Sequence, residues 1–207
     1  NYNRGCLRRI DRGNIELSEL EAIMMQSVNE AERAAEIIRR MRAFVNKKDP
    51  HHEIVNINDL IRRVSGFLAS EMERESIELK LSLADKPTPL TVDPIQIEQV
   101  LLNLLRNAID AVKAPWQDER EIEIHSYNSE DGNVHVDVMD TGSGLPEGEK
   151  QQIFDPFYTT KDEGMGMGLS ISRTIIEAHG GTMYTDISGQ NTLVGIAIPQ
   201  SNENHLN

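Results

Sequence analysis

The stretches Asn103-Leu-Leu-Arg106-Asn107-Ala-Ile-Asp110-Ala111 and Asp140-Thr-Gly142-Ser-Gly144 decide how this chain is read. The first sits in a glycine-free run from Pro94 to Lys113 with apolar residues at Ile97, Leu101, Leu104 and Leu105. That spacing predicts one long helix with Pro94 in its first turn, where its missing N–H costs nothing. The second motif closes the alternating run Val134 to Met139, which predicts a strand ending directly in Asp140. Working outward, Asn58 or Asp59 is expected to cap a helix running to about Met72. Ile77–Leu83, Glu121–Asn128, Thr182–Ile187 and Leu193–Ile198 read as strands, and Leu169–His179 as a helix. Helices between strands, with neighbouring strands joined in antiparallel runs, predict an α+β sandwich: a mixed, mostly antiparallel sheet with helices on one face.

The first 49 residues have a different pattern. Asn1 to about Ile10 reads as the end of a helix, and Asp11-Arg12-Gly13-Asn14 as a turn. Leu17, Leu20, Met24, Ser27, Ala31, Ala34, Ile38, Met41 and Val45 then recur at alternating spacings of three and four without Gly or Pro between them. This seam predicts a helical hairpin that dimerises as a four-helix bundle; a lone amphipathic helix lying on a globular domain is the alternative. Pro50 ends the helix. The expected organisation is a hairpin over 1–49, a linker over 50–57, a globular domain over 58–201 and a polar tail over 202–207.

Composition bounds the function. The net charge of −13 opposes a nucleic-acid partner, since phosphate backbones select basic surfaces. Hydrophobic content of 38% and charged content of 27% fit a globular chain with a real core. No apolar run approaches membrane-spanning length, no signal peptide is visible, and the single cysteine, Cys6, fits a reducing cytoplasm. The chain begins at Asn1 without methionine, which reads as a piece of a longer protein whose remainder holds a sensor or a membrane anchor.

Asn103 and Asn107 lie one turn apart, so their carboxamides share a helix face. Asn is a poor helix former with little to offer a core; a carboxamide oxygen is a hard ligand suited to Mg²⁺ beside phosphate oxygens. Arg106 can reach phosphates and reads equally as a solvated charge. Asp140, at a strand end, can accept from the exocyclic amine of adenine, with Gly142 and Gly144 allowing close backbone approach; a plain Asp-Gly turn has the same sequence. Gly164, Gly166 and Gly168 open a helix whose first amides suit a triphosphate, although a glycine run also fits a flexible loop. Neither Gly-Lys-Ser/Thr nor a strand leading straight into the glycines is present, which excludes a Walker loop and a dinucleotide fingerprint. Phe154 and Phe157 bracket Asp155-Pro156, which reads as pinning one end of a lid or as ordinary loop anchoring. Lys161 can offer a point charge to a terminal phosphate.

The order and content of these motifs resemble the N, G1, F and G2 boxes of the sensor histidine kinases, within the GHKL ATP-binding superfamily. The segment Glu30 to Val45 resembles the second dimerisation helix of the subgroup holding oxygen-sensing kinases of nitrogen fixation and aromatic-hydrocarbon sensors. By that likeness the cofactors are ATP and Mg²⁺. Asn107 would bind the metal, Asn103 and Arg106 would face phosphates, and Asp140 would read adenine. Gly142, Gly144, Gly164, Gly166 and Gly168 would shape pocket and lid, with Asp110, Leu169 and Thr192 completing the nucleotide's surroundings. The final strands of this family usually carry Gly-Thr-x-Phe; here the stretch is Asn191-Thr192-Leu193-Val194, and only Thr192 fits.

The resemblance implies a homodimeric kinase whose phosphate passes to a histidine and then to the aspartate of a response regulator. Of His51, His52, His125, His135, His179 and His205, none lies on a bundle helix before an acidic residue and Asn-Pro. The expectation is that the acceptor lies upstream of Asn1 and that this stretch binds ATP without labelling itself. ATP-hydrolysing members of the superfamily carry Glu where this chain has Asn103, and a carboxamide cannot act as general base. A GHKL-type ATPase and an ATP-gated dimerisation module are the alternatives.

Overall fold

A computed structural model describes residues 20, 22–25, 27, 51–113, 120–144, 148, 150–159, 166–188 and 191–201. The chain divides into two compact units, Asn1–Asp49 and Pro50–Asn207. In the first, the described residues between 20 and 27 are helical, and the Ser27 hydroxyl donates to the Ile23 carbonyl one turn back at 2.8 Å. The expected hairpin turn, the remainder of the apolar seam and the four-helix bundle lie outside the described residues.

The second unit opens with strand β1 (Glu53–Val55) and helix α1 (Ile57–Arg74). Ile57, Leu60, Ile61, Val64, Leu68 and Met72 follow the i, i+3, i+4, i+7 pattern of one helix face and are all buried, so one stripe of α1 faces the core. The cap is Asn56, whose side chain accepts from the Asn58 amide at 2.8 Å. This corrects the expectation of a cap at Asn58 or Asp59. Asn58 is instead a buried staple: its Nδ2 donates to the Ala84 carbonyl at 2.8 Å and its Oδ1 accepts from Ser126 Oγ at 2.6 Å.

Strands β2 (Glu78–Leu83) and β3 (Leu90–Val92) lead into helix α2 (Pro94–Val112). Asp93 caps α2, its Oδ1 accepting from the amides of Ile95 at 3.0 Å and Gln96 at 3.2 Å. Strands β4 (Glu121–Asn128) and β5 (Asn133–Asp140), a short 3₁₀ turn at Gln152–Phe154, helix α3 (Gly168–Ala178) and strands β6 (Thr182–Ser188) and β7 (Asn191–Pro199) complete the unit. The main sheet runs β2-β4-β5-β7-β6; β2 pairs with β4 in parallel and every other pair is antiparallel. The residues expected to form a linker include β1, which pairs with β3 through Ile54 opposite Thr91. Its three residues carry too little alternation to be told from a linker by sequence.

Helices α1, α2 and α3 cover one sheet face. Ile122 and Ile124 of β4, Val134, Val136 and Val138 of β5, and Ile196 and Ile198 of β7 form a single core with the apolar stripes of the helices. On the opposite face the Tyr184 hydroxyl donates to Asp137, which is buried despite pointing away from the helices. Gly195 lies between them in register, and a Cβ there would run into both the Tyr184 ring and Asp137 Oδ1. Among the described residues no helix is long and apolar enough to cross a membrane.

Candidate functional site

Helix α2 presents two faces. Leu101, Leu104, Leu105 and Ala108 go into the core, while Arg106 and Asp110 are exposed and Asn103 and Asn107 half-buried. The spacing that buries the leucines is what brings the two asparagines to the rim of the core.

The start of α3 packs directly on Asn103. Asn103 Nδ2 donates to Ser172 Oγ at 3.0 Å. A Cβ on Gly168 would come within 3.1 Å of both Cγ and Nδ2 of Asn103, and closer still to Oδ1, so any larger residue would have to displace the Asn103 side chain or α3. The preceding residue, Met167, supplies no side-chain cap, and the nearby Ser170 hydroxyl donates to the Met167 carbonyl rather than accepting from an amide. The first-turn N–H groups of α3 therefore meet no side-chain acceptor at the cap, an arrangement suited to an anion. Leu169 packs against the core behind them.

Gly166 joins the glycine run to the phenylalanine segment. It has a φ of +62°, its carbonyl accepts from the Phe157 amide at 2.9 Å, and any Cβ would collide with the Phe157–Tyr158 backbone. The two phenylalanines do not act as a pair. Phe154 is buried, with the Arg173 guanidinium 5.9 Å from its ring centroid, whereas Phe157 is 74% exposed at a φ of +70°. One phenylalanine anchors the segment and the other does not, because the left-handed turn at Phe157 carries its side chain away from the core. Lys161 and Gly164 lie outside the described residues.

The third wall is the end of β5. Asp140 is 7% exposed, its Oδ1 accepts from the Gly142 amide at 2.9 Å, and it pairs in register with Thr192 of β7, which is equally buried. Gly142 lies against the last turn of α2: a Cβ there would stand 2.6 Å from the Cβ of Ala111. Gly144 follows at a φ of +73°. The Asp140 carboxylate and its glycine thus abut the residue after Asp110, while Gly168 and Ser172 abut Asn103. The described members of the sequence motifs converge on one helix from two sides. Sequence reasoning missed Ser172; its one signal is a serine a helical turn after Gly168.

Among the described residues there is no cluster of three or more His, Cys, Asp or Glu able to hold a metal. A hard cation bound here would draw its ligands from a carboxamide, water and the oxygens of a bound phosphate.

Residues 92–202, more than half of the chain, match the family described as Histidine kinase-, DNA gyrase B-, and HSP90-like ATPase. The sensor protein FixL of Bradyrhizobium diazoefficiens is 35% identical over 99% of this chain, which spans 40% of that relative's length. The catalytic domain of histidine kinase ThkA, in a nucleotide-free form, superposes with a TM-score of 0.65 at 34% identity, covering 72% of this chain and 96% of that one. ThkA in complex with the response regulator protein TrrA gives a TM-score of 0.78 at 28% identity, over 97% of this chain and 57% of the ThkA chain. The fold and the convergent motifs are those of this family, and the chain belongs to it. More narrowly, it is the ATP-binding catalytic part of a sensor histidine kinase.

Proposed function

We propose that this chain supplies the phosphoryl-donor half of a two-component kinase: it binds ATP with Mg²⁺ and presents the γ-phosphate to a histidine. The observation carrying this reading is Asn103. It stands where the hydrolysing relatives carry Glu, and its carboxamide donates one hydrogen to Ser172 and lies against Gly168. A carboxamide cannot take a proton from water, so the site favours transfer to an acceptor over hydrolysis.

In this reading Asp140 accepts from the adenine amine, with Gly142, Gly144 and Thr192 framing the ring. Asn103, Arg106 and the first amides of α3 at Gly168 and Leu169 hold the phosphates, joined by Lys161 and by Gly164 and Gly166 of the lid. Asn107 gives its carboxamide oxygen to the metal, and Asp110 lines the same edge of α2. Bound Mg²⁺ would neutralise charge on the β- and γ-phosphate oxygens. The chain's own contribution is positioning: an imidazole nitrogen attacks the γ-phosphorus in line, an N–P bond forms, and the bond to the β-phosphate oxygen breaks to release ADP.

His125 and His135 lie within the sheet, and both ring nitrogens of His179 are engaged. The acceptor is assigned to a histidine outside these 207 residues, on a helix of a homodimeric bundle to which residues 1–49 contribute. A response-regulator aspartate then receives the phosphate, a partnership supported by the ThkA–TrrA complex. In this reading the catalytic part works in the cytoplasm. Incubation with γ-labelled ATP tests the reading. The chain is expected to bind ATP–Mg²⁺, to lose most of that binding in Asn107→Asp, and to take up no acid-labile, base-stable label. Uptake of such label into the chain would overturn the assignment of an outside acceptor.

A further inference from the structure

The two helices that carry the proposed nucleotide residues are tied a second time, about 10 Å along α3 from the Ser172 contact, given a rise of ~1.5 Å per residue. His179 caps the C-terminus of α3. Its Nε2 accepts from the backbone amide of Asp93 at 3.0 Å, and its Nδ1 lies 2.8 Å from the Ile175 carbonyl. A backbone N–H can only donate, so Nε2 must carry the lone pair; Nδ1 then carries the proton and donates to Ile175. Both bonds are made by one tautomer only.

Asp93 is itself a junction. It caps α2 through the Ile95 and Gln96 amides, and its Oδ2 accepts from Gln96 Nε2 at 3.1 Å and from the His51 amide at 3.3 Å. The His52 ring stands edge-on to His179, with centroids 5.3 Å apart. His51 and His52 directly follow Pro50, where the second unit begins. The segment leaving that boundary, the start of α2 and the end of α3 therefore meet at one imidazole.

We infer that His179 is a positioning residue for the nucleotide site. In its Nδ1–H form it locks the start of α2 to the end of α3 and couples the segment after Pro50 to the helix bearing Asn103 and Asn107. The inference rests on the nucleotide reading of α2 and α3. Losing one such hydrogen bond is expected to change the associated equilibria by about three- to tenfold.

The test is made on the 207-residue chain. Ring ¹⁵N spectra should report the Nδ1–H tautomer for His179; an Nε2–H tautomer overturns the inference whatever the variants do. His179→Leu keeps the bulk and loses the acceptor. It should lower the hydrogen-exchange protection of the Asp93 amide and the affinity for ATP–Mg²⁺, each by that factor. His179→Gln, whose Oε1 can replace Nε2 as acceptor, should restore most of both. Unchanged Asp93 protection in His179→Leu, or lost protection with wild-type ATP affinity, overturns the positioning role. Failure of the wild-type chain to bind ATP would instead refute the nucleotide reading, and the tautomer and exchange measurements would still decide whether the junction exists.

Discussion

The Asn103 carboxamide donates to the Ser172 hydroxyl at 3.0 Å across the α2–α3 interface, while Gly168 closes over its other side. This contact fixes the carboxamide relative to the uncapped start of α3. Orientation therefore depends on a serine that is itself only 2% exposed. Removing it in Ser172→Ala leaves Asn103 Nδ2 without this acceptor, and a lost hydrogen bond of this kind costs about 0.5–1.5 kcal/mol net. The expected outcome is a small loss in denaturation midpoint together with weaker ATP binding by calorimetry. Adenosine binding should be nearly unchanged, because the loss falls at the phosphate end; equal weakening of both ligands would contradict this placement.

Gly168→Ala acts on the same contact from the other side. The added methyl meets the Asn103 carboxamide, which Ser172 holds in place, so the side chain must swing out of its position or α3 must back away. Either movement displaces the first-turn amides from Asn103. Alanine is the better helix former by about 1 kcal/mol, so α3 itself should not unravel. ATP affinity is expected to fall at least about tenfold, the effect of ~1.4 kcal/mol, with helix content unchanged by circular dichroism. Wild-type affinity in this variant would remove Gly168 from the site.

Asp140 gives a specificity prediction. Its carboxylate is nearly buried, and Gly142 occupies Oδ1. Guanine would place a carbonyl where adenine presents an amine, setting acceptor against acceptor, and an unsatisfied buried polar group costs roughly 1–3 kcal/mol. ATP should therefore bind at least about tenfold more tightly than GTP. Asp140→Asn should lose most ATP binding while leaving the helical content intact. Equal affinities for ATP and GTP in direct titrations would sink the assignment.

The legible parts of the sequence were those in which a residue's neighbours along the chain settle its environment. The leucine spacing of α2 placed Asn103 and Asn107 on one rim, and the alternation of β5 delivered Asp140 to a strand end. The misread positions depend on partners distant in sequence. Asn58 has the residue type of a cap, but Ala84 and Ser126 make it a buried staple, and Asn56 caps instead. β1 exists because Leu90–Val92 pairs with it, and three residues carry no period of their own. Ser172 gained its role from an asparagine 69 positions away. Sequence position pairs Phe157 with Phe154, whereas its positive φ, beside the bond from its amide to the Gly166 carbonyl, goes with a side chain turned outward.

The outer face of the sheet carries a charge-dependent element that α2 and α3 do not touch. The Tyr184 hydroxyl donates to Asp137, and His135 Nδ1 lies 2.8 Å from the same oxygen. Burial, followed by the hydrogen bond to Asp137, pushes the Tyr184 phenol well above its ordinary value. The native state therefore holds the phenolic proton more tightly than the unfolded chain does. The resulting stability is fully present below about pH 10, the ordinary tyrosine range, and is lost as the pH rises beyond it. Ultraviolet titration should show Tyr184 silent until the protein unfolds, with the denaturation midpoint dropping steeply above about pH 10. Tyr184→Phe removes the proton and should flatten that alkaline slope. It also leaves the buried Asp137 short of a donor, at a cost of about 1–3 kcal/mol at neutral pH. Because this face lies across the sheet from Asn103 and Asp140, the variant should keep wild-type ATP affinity at a temperature where it is folded. An unchanged alkaline slope in Tyr184→Phe would show that another group governs the transition.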